Sequence, residues 1–235
     1  MIRARTRAVL TLASFLLASV ANAAYILEID TDGLDDGALT FNSRFTFGGD
    51  TTIASQSAAS TAFGSSGADS IFGGDGINEV DTYIYTYNPS IDGDNLAITA
   101  GQDLGNGNFA SGATAGGTGL YNVFATWPFT SNVSGGDTLY EIVTTGSSDS
   151  NSINQNGPGN AGLGNVWVLV GQVTYTSGNI VVTQSAGSNT FVSMRAAALL
   201  FEPASGRSTV PEPSSLLLMG VGLAGILLKR RSVSN

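Results

Sequence analysis

The 235-residue chain contains no cysteine and no histidine. Without cysteine there is no disulfide, no thiolate metal site and no thiol nucleophile. Without histidine, the usual general base near neutral pH and the commonest transition-metal ligand are missing, which excludes a Ser-His-Asp hydrolase. Lysine occurs once, at Lys229, and six of the nine basic residues (Arg3, Arg5, Arg7, Lys229, Arg230, Arg231) sit at the two ends. The body keeps Arg44, Arg195 and Arg207 against 17 of the 18 acidic residues, a balance of −14. Such a surface repels phosphate backbones, so nucleic acid is not an expected partner. A cation or a neutral polymer is more compatible. A carboxylate-pair glycosidase needs two acids at a set separation, and no two of the 18 stand out. The expectation is a protein that is not an enzyme.

What is present is a body rich in Gly, Ser, Thr, Asn and Asp, interrupted by short β-branched and aromatic runs. These predict strands at 25–29, 39–47, 82–87, 96–99, 121–127, 139–144, 166–175, 180–183 and 191–201. Tyr121, Val123, Ala125 and Trp127 fall on one face, opposite Asn122, Phe124 and Thr126, the period-two pattern of a half-buried strand. The run around Trp167 is apolar on both faces and predicts a central strand. Asp92-Gly93-Asp94, Gly105-Asn106-Gly107 and Ser177-Gly178-Asn179 supply turn chemistry, and no stretch of the body shows sustained helical periodicity. The expected fold class is all-β, a β-sandwich or jelly-roll-like body. A softer boundary near Asn88–Asp94 divides an N-terminal β part with a Gly/Ser/Asp-rich loop (24–94) from a better-patterned sandwich (95–204).

The ends have a different character. Three arginines, an apolar run from Ala8 to Val20 and the small-residue site Ala21-Asn22-Ala23 read as a cleavable signal peptide over 1–23, cut by signal peptidase before Ala24. At the other end a linker (205–215) holds Val210-Pro211-Glu212-Pro213, an extended segment because two prolines flank one residue. The apolar run 216–228 follows as a single transmembrane helix, and Lys229, Arg230 and Arg231 form a stop-transfer cap on a cytoplasmic tail (229–235).

This tail resembles the PEP-CTERM sorting signal of exopolysaccharide-producing diderm bacteria. The resemblance implies export, a transient inner-membrane anchor, and processing near Pro211-Glu212-Pro213 by an exosortase-type transpeptidase. The final destination it implies is the cell surface or extracellular matrix, with exopolysaccharide or biofilm as the setting. Pro211, Glu212 and Pro213 are then recognition residues of a substrate, and no residue is catalytic.

A second resemblance runs through residues 115–202. Leu120-Tyr-Asn-Val-Phe-Ala-Thr-Trp-Pro128, Leu139-Tyr-Glu-Ile-Val143, Ile153-Asn154-Gln155, Trp167-Val-Leu-Val-Gly171 and Ala196-Ala-Ala-Leu-Leu-Phe201 follow the order of strands in golvesin C-terminal-like domains. It implies a sandwich fold and some association with polysaccharide. The chain departs from that pattern at Ala197, where the family has Asp, and at Leu200, where it has Arg. Trp127 could stack on a sugar ring. Its alternation partners Val123 and Ala125 place it in the core instead.

Residues 64–81 divide into two nonapeptides that approach a calcium-binding glycine-rich repeat. Asp69, Asp75, Asn78 and Asp81 would be the oxygen ligands for calcium. A solvated loop is the plainer reading. Three functions remain open: a surface or matrix component, a carbohydrate-binding module, and a carboxylate-based polysaccharide-active enzyme.

Overall fold

The computed structural model describes residues 22–34, 36–48, 55–66, 69–73, 82–113, 117–129, 137–155, 163–186 and 194–204. The expected signal peptide up to Ala21, the loop residues Asp75, Asn78 and Asp81, the sorting motif, the apolar run 216–228 and its basic cap lie outside them. Among the described residues no helix is long and apolar enough to cross a membrane.

The regular elements assigned are strands: β1 (Asn22–Glu28), β2 (Phe45–Gly48), β3 (Ser55–Ser57), β4 (Ser70–Gly73), β5 (Thr82–Tyr87), β6 (Leu96–Ala97), β7 (Asp103–Gly105) and β8 (Asn108–Phe109), followed by β9 (Gly119–Thr126), β10 (Thr138–Val143), β11 (Ser148–Ile153), β12 (Val168–Tyr175), β13 (Ile180–Ser185), β14 (Met194–Ala196) and β15 (Ala198–Pro203). The first five-stranded sheet runs β12-β9-β15-β1-β6 and the second β11-β10-β13-β5-β2. All their pairings are antiparallel. Strands from before and after Asn95 share both sheets, so each half of the chain completes the other's hydrogen bonding.

The body is an all-β sandwich because both sheets bury one face in a common core. Leu27, Val123, Val170, Leu199 and Phe201 come from the first sheet; Tyr85, Tyr140, Ile142 and Val182 come from the second. In β5 the sequence Thr-Tyr-Ile-Tyr-Thr-Tyr alternates cleanly, with Tyr83, Tyr85 and Tyr87 buried and the residues between them half-buried. That is the signature of a strand covered on one face. In β15, Ala198-Leu-Leu-Phe201 does not alternate, because both faces are covered. Leu199 and Phe201 enter the sandwich core, whereas Ala198 and Leu200 enter a second cluster on the outer face of the first sheet.

That outer cluster joins Ala24, Ile26, Ala62, Ile98, Leu104, Ala110, Phe124, Trp167, Ala198 and Leu200. Its lid consists of loop 58–66 and the β7–β8 hairpin. The hairpin turns through Asn106 (φ 53°) and Gly107 (φ 74°), the paired positive φ values of a two-residue type I′ connection. A three-stranded sheet, β14-β4-β3, adds Ile71, Met194 and Ala196 to the sandwich core.

Several elements differ from the sequence reading. The run around Trp167 is not a central strand: β12 ends the first sheet, and Trp167 precedes it and turns into the outer cluster. Ser148-Asp-Ser-Asn-Ser-Ile153, with no strand pattern, forms β11 by pairing its whole length with β10. A polar outermost strand suits an edge that must not recruit another chain. The low-complexity stretch 55–76 contains β3 and β4. Of 39–47 only the end is strand β2, while Phe41 makes an isolated bridge to Asp30. The 191–201 run breaks at Ala197, where the chain passes from β14 to β15 and changes sheet.

Candidate functional site

Three places in the body bear on function: the end from which the sorting tail departs, a buried polar clamp at the other end, and the rim of the outer cluster. Antiparallel register fixes the first. β1 pairs Tyr25 with Phe201 and Glu28 with Ala198, so the start of β1 and the end of β15 are neighbours. The Ala204 N–H then donates to the Leu120 carbonyl at 2.8 Å. Ala204, the last described residue before Val210-Pro211-Glu212-Pro213, therefore lies at the same end as the segment that follows the expected cleavage site Ala21-Asn22-Ala23. Tyr87, Tyr121 and Tyr175 are buried at this end, and Tyr25 stacks on Tyr87 with centroids 4.5 Å apart. The Tyr175 hydroxyl reaches Ser90 Oγ at 2.9 Å, and Arg44 pairs with Asp92 on the same loop.

At the opposite end Arg195 is 4% exposed. Its Nη1 donates to the Pro128 carbonyl at 3.0 Å and its Nη2 to the Gln155 carbonyl at 2.6 Å. Gln155 returns the contact: its Oε1 accepts the Arg195 N–H at 2.8 Å, while its Nε2 donates to Tyr140 Oη and to the Arg195 carbonyl, both at 2.9 Å. Gln184 adds a bond to the Arg195 carbonyl at 2.8 Å and accepts one from Tyr85 at 3.1 Å. Burial pushes the Tyr140 phenol well above the ordinary tyrosine range, against the lowering effects of Gln155 and Arg195. Burial also lowers the Arg195 pKa, opposed by Tyr140. A phenol held neutral accepts from Gln155 and does not act as a base near neutral pH. The arrangement is a clamp that fastens β14 to the second sheet and to the Trp127-Pro128 turn. Gln155 belongs to the Ile153-Asn154-Gln155 segment singled out in the sequence. Arg195 was counted there only as a charge.

The outer cluster is held by carboxylates. Glu202 is fully buried; it accepts the Ser111 N–H at 2.6 Å and Asn122 Nδ2 at 3.4 Å. Glu28 accepts the Ser66 N–H at 2.7 Å and Ser65 Oγ at 3.1 Å, and also bonds Ser66 Oγ. Trp167 is fully buried, and its Nε1 donates to the Phe63 carbonyl at 2.8 Å. Trp127 is also fully buried, in the sandwich core. Neither indole offers a face to a sugar, and the core placement argued for Trp127 is the one observed. The aromatic side chains left exposed, among the described residues, are Phe63, Phe109 and Phe129. Ala197 and Leu200, where the golvesin-like pattern has Asp and Arg, are 4% and 0% exposed. Ala197 serves through its backbone, accepting from Ile29 N–H at 2.9 Å.

Of the candidate calcium ligands the described residues contain Asp69. Its carboxyl is buried and accepts the Gly37 N–H at 2.8 Å, tying loop 36–40 to the start of β4. Among the described residues no three acidic side chains group as a metal site would require.

Residues 209–231 match the PEP-CTERM protein-sorting motif. The tail is thus a sorting signal, and it marks the chain as an exported protein recognised by an exosortase and held at the membrane before release. No curated protein matches the chain. Among solved structures, a xanthan lyase from Paenibacillus is similar over 78% of this chain and 13% of that one, at 16% identity and a TM-score of 0.44. A GH26-CBM35 β-(1,4)-mannanase from Podospora anserina is similar over 80% of this chain and 29% of that one, at 14% identity and a TM-score of 0.36. The chain spans less than a third of either protein's length.

Proposed function

We propose that the chain is a non-catalytic cell-surface or extracellular-matrix protein, delivered by its sorting motif and associated with exopolysaccharide or biofilm. The observation that carries this reading is the PEP-CTERM match at 209–231, behind a body with neither histidine nor cysteine. Signal peptidase cuts after Ala23, and an exosortase-type transpeptidase then acts near Pro211-Glu212-Pro213. Lys229, Arg230 and Arg231 hold the tail in the cytoplasm until that step. The buried acids Glu202 and Asp69 and the half-buried Glu28 support a structural role, since they are spent on loop N–H and hydroxyl groups.

Fractionation of the native host tests the reading. The wild-type protein is expected in the surface or matrix fraction, and Glu212→Ala in the inner membrane with its apolar run intact. If both proteins remain in the inner membrane, the motif is an anchor only and the matrix assignment fails. Cleavage of a polymer by the purified protein, abolished by replacing one acid, would establish an enzyme instead. Calcium at the 64–81 loop is a separate proposal, and a melting temperature indifferent to calcium would end it.

A further inference from the structure

We propose that Phe63, Phe109 and Phe129, carried on segments gathered around the turn that precedes β12, form a docking surface for a neutral polysaccharide. The proposal rests on the matrix reading above and names its partner. The three rings are 37%, 61% and 58% exposed. They come from three separate segments that converge on one turn, residues 163–167. Phe63 is fixed there by the bond from Trp167 Nε1 to its carbonyl. Phe109 follows Asn108, whose Nδ2 donates to the Trp167 carbonyl at 2.9 Å, and the Trp167 N–H donates to Leu104 on the partner strand of the same hairpin at 2.9 Å. Phe129 lies against Gly164, where a Cβ would stand 2.6 Å from the Phe129 Cα. The turn is itself tied down: Asn165 N–H donates to the Trp127 carbonyl at 2.8 Å and its Oδ1 accepts from Thr61 N–H at 3.1 Å. Rings carried on loops fixed in this way lose little further freedom on binding.

Position sets Phe129 apart from the tail. The tail departs beside Leu120 at the start of β9, whereas Phe129 follows the end of that strand and Trp167 precedes β12 opposite it. An eight-residue strand at about 3.3 Å per residue separates the two ends by roughly 25 Å.

The chemistry selects the occupant. A phenyl face matches the apolar face of a pyranose ring. The body carries 17 acids against three arginines; Arg44 is paired with Asp92 and Arg195 is buried in its clamp. Among the described residues an anionic polymer finds no exposed counter-charge beyond the Arg44–Asp92 pair, and a second copy of the chain brings the same acidic surface. A neutral glycan meets neither obstacle. Asp103, exposed and paired across the hairpin with Phe109, supplies a carboxylate able to accept from sugar hydroxyls.

The test is affinity electrophoresis of the released, purified protein through gels containing hydroxyethyl cellulose, with calorimetry against cellohexaose. Retardation of the wild type is expected. It should fall by about tenfold in apparent affinity for each ring removed in Phe109→Ala and Phe129→Ala. Ile91→Ala, an exposed apolar residue on the loop near the tail end, should bind as wild type does. Melting temperatures of all three variants should match the wild type, which separates lost docking from lost folding. Undiminished retardation in the double phenylalanine variant overturns the proposal. So does a protein that reaches the matrix yet is retarded by none of glucan, mannan or galactan gels, an outcome that leaves the matrix reading standing. Sedimentation showing a dimer that Phe109→Ala dissociates would also overturn it, by giving the surface to a second copy. A protein that binds these gels but never leaves the inner membrane fails the matrix reading alone.

Discussion

Leu200 and Phe201 are adjacent on β15 and both fully buried, yet they belong to different interiors. Phe201 packs between two sheets whose strands are hydrogen-bonded along their length. Leu200 packs under a lid of loop and hairpin, held down by Glu28, Glu202 and the two bonds that Trp167 makes to Phe63 and Leu104. Burial is equal and the means of burial is not. One interior is closed by regular structure, where a void persists; the other is closed by side-chain bonds to loops, where the lid can settle after a truncation.

The largest expected effect follows directly. Phe201→Ala should cost about 3–5 kcal/mol and Leu200→Ala about 2–3 kcal/mol, both read by denaturant unfolding. The comparison breaks if the two losses are equal, because the lid would then be as unyielding as the second sheet.

The tryptophans sharpen it. Trp167 Nε1 donates to the Phe63 carbonyl, whereas Trp127 Nε1 has no partner among the described residues. Trp167→Phe strands a carbonyl and should cost about 1 kcal/mol more than Trp127→Phe. Equal losses would mean that the bond to Phe63 contributes nothing to closing the lid.

The smallest effect is expected in alkali and concerns the sandwich core alone. Burial holds the phenols of Tyr85, Tyr87 and Tyr140 above the ordinary tyrosine range. Their folded pKa values are raised, so the unfolded chain loses these protons first. The stabilisation they give is complete below pH 10 and is lost as the pH rises beyond it. Absorbance should show these tyrosines ionising together with unfolding, because a phenolate is disfavoured in the core until water reaches it. Gradual ionisation with the fold intact would show that solvent reaches the core.

How much of this could be read from sequence depended on whether a residue's role is local. β5 was legible because its alternation reports one covered face, and Gly105-Asn106-Gly107 because a two-residue turn demands positive φ. β11 was not, since a polar edge strand owes its conformation to β10 and not to its own residues. The two-sided burial of β15 was visible as a continuous apolar run, but nothing local says that the second face is covered by loops. Arg195 was illegible for the same reason: the carbonyls its guanidinium holds, on Gln155 and Pro128, lie 40 and 67 residues away. The exposed phenylalanines carried a faint signal, as single aromatics inside Gly- and Ser-rich segments. Their convergence depends on three loops meeting at Trp167. The sorting motif was the most legible feature because its reader recognises a short segment and needs no fold.

Intact-mass spectrometry of the protein released by the native host tests the central claim most directly. A chain that begins at Ala24, ends near Pro211 and lacks 216–228 is the predicted result. A released or membrane-bound chain that retains 216–235 would contradict it.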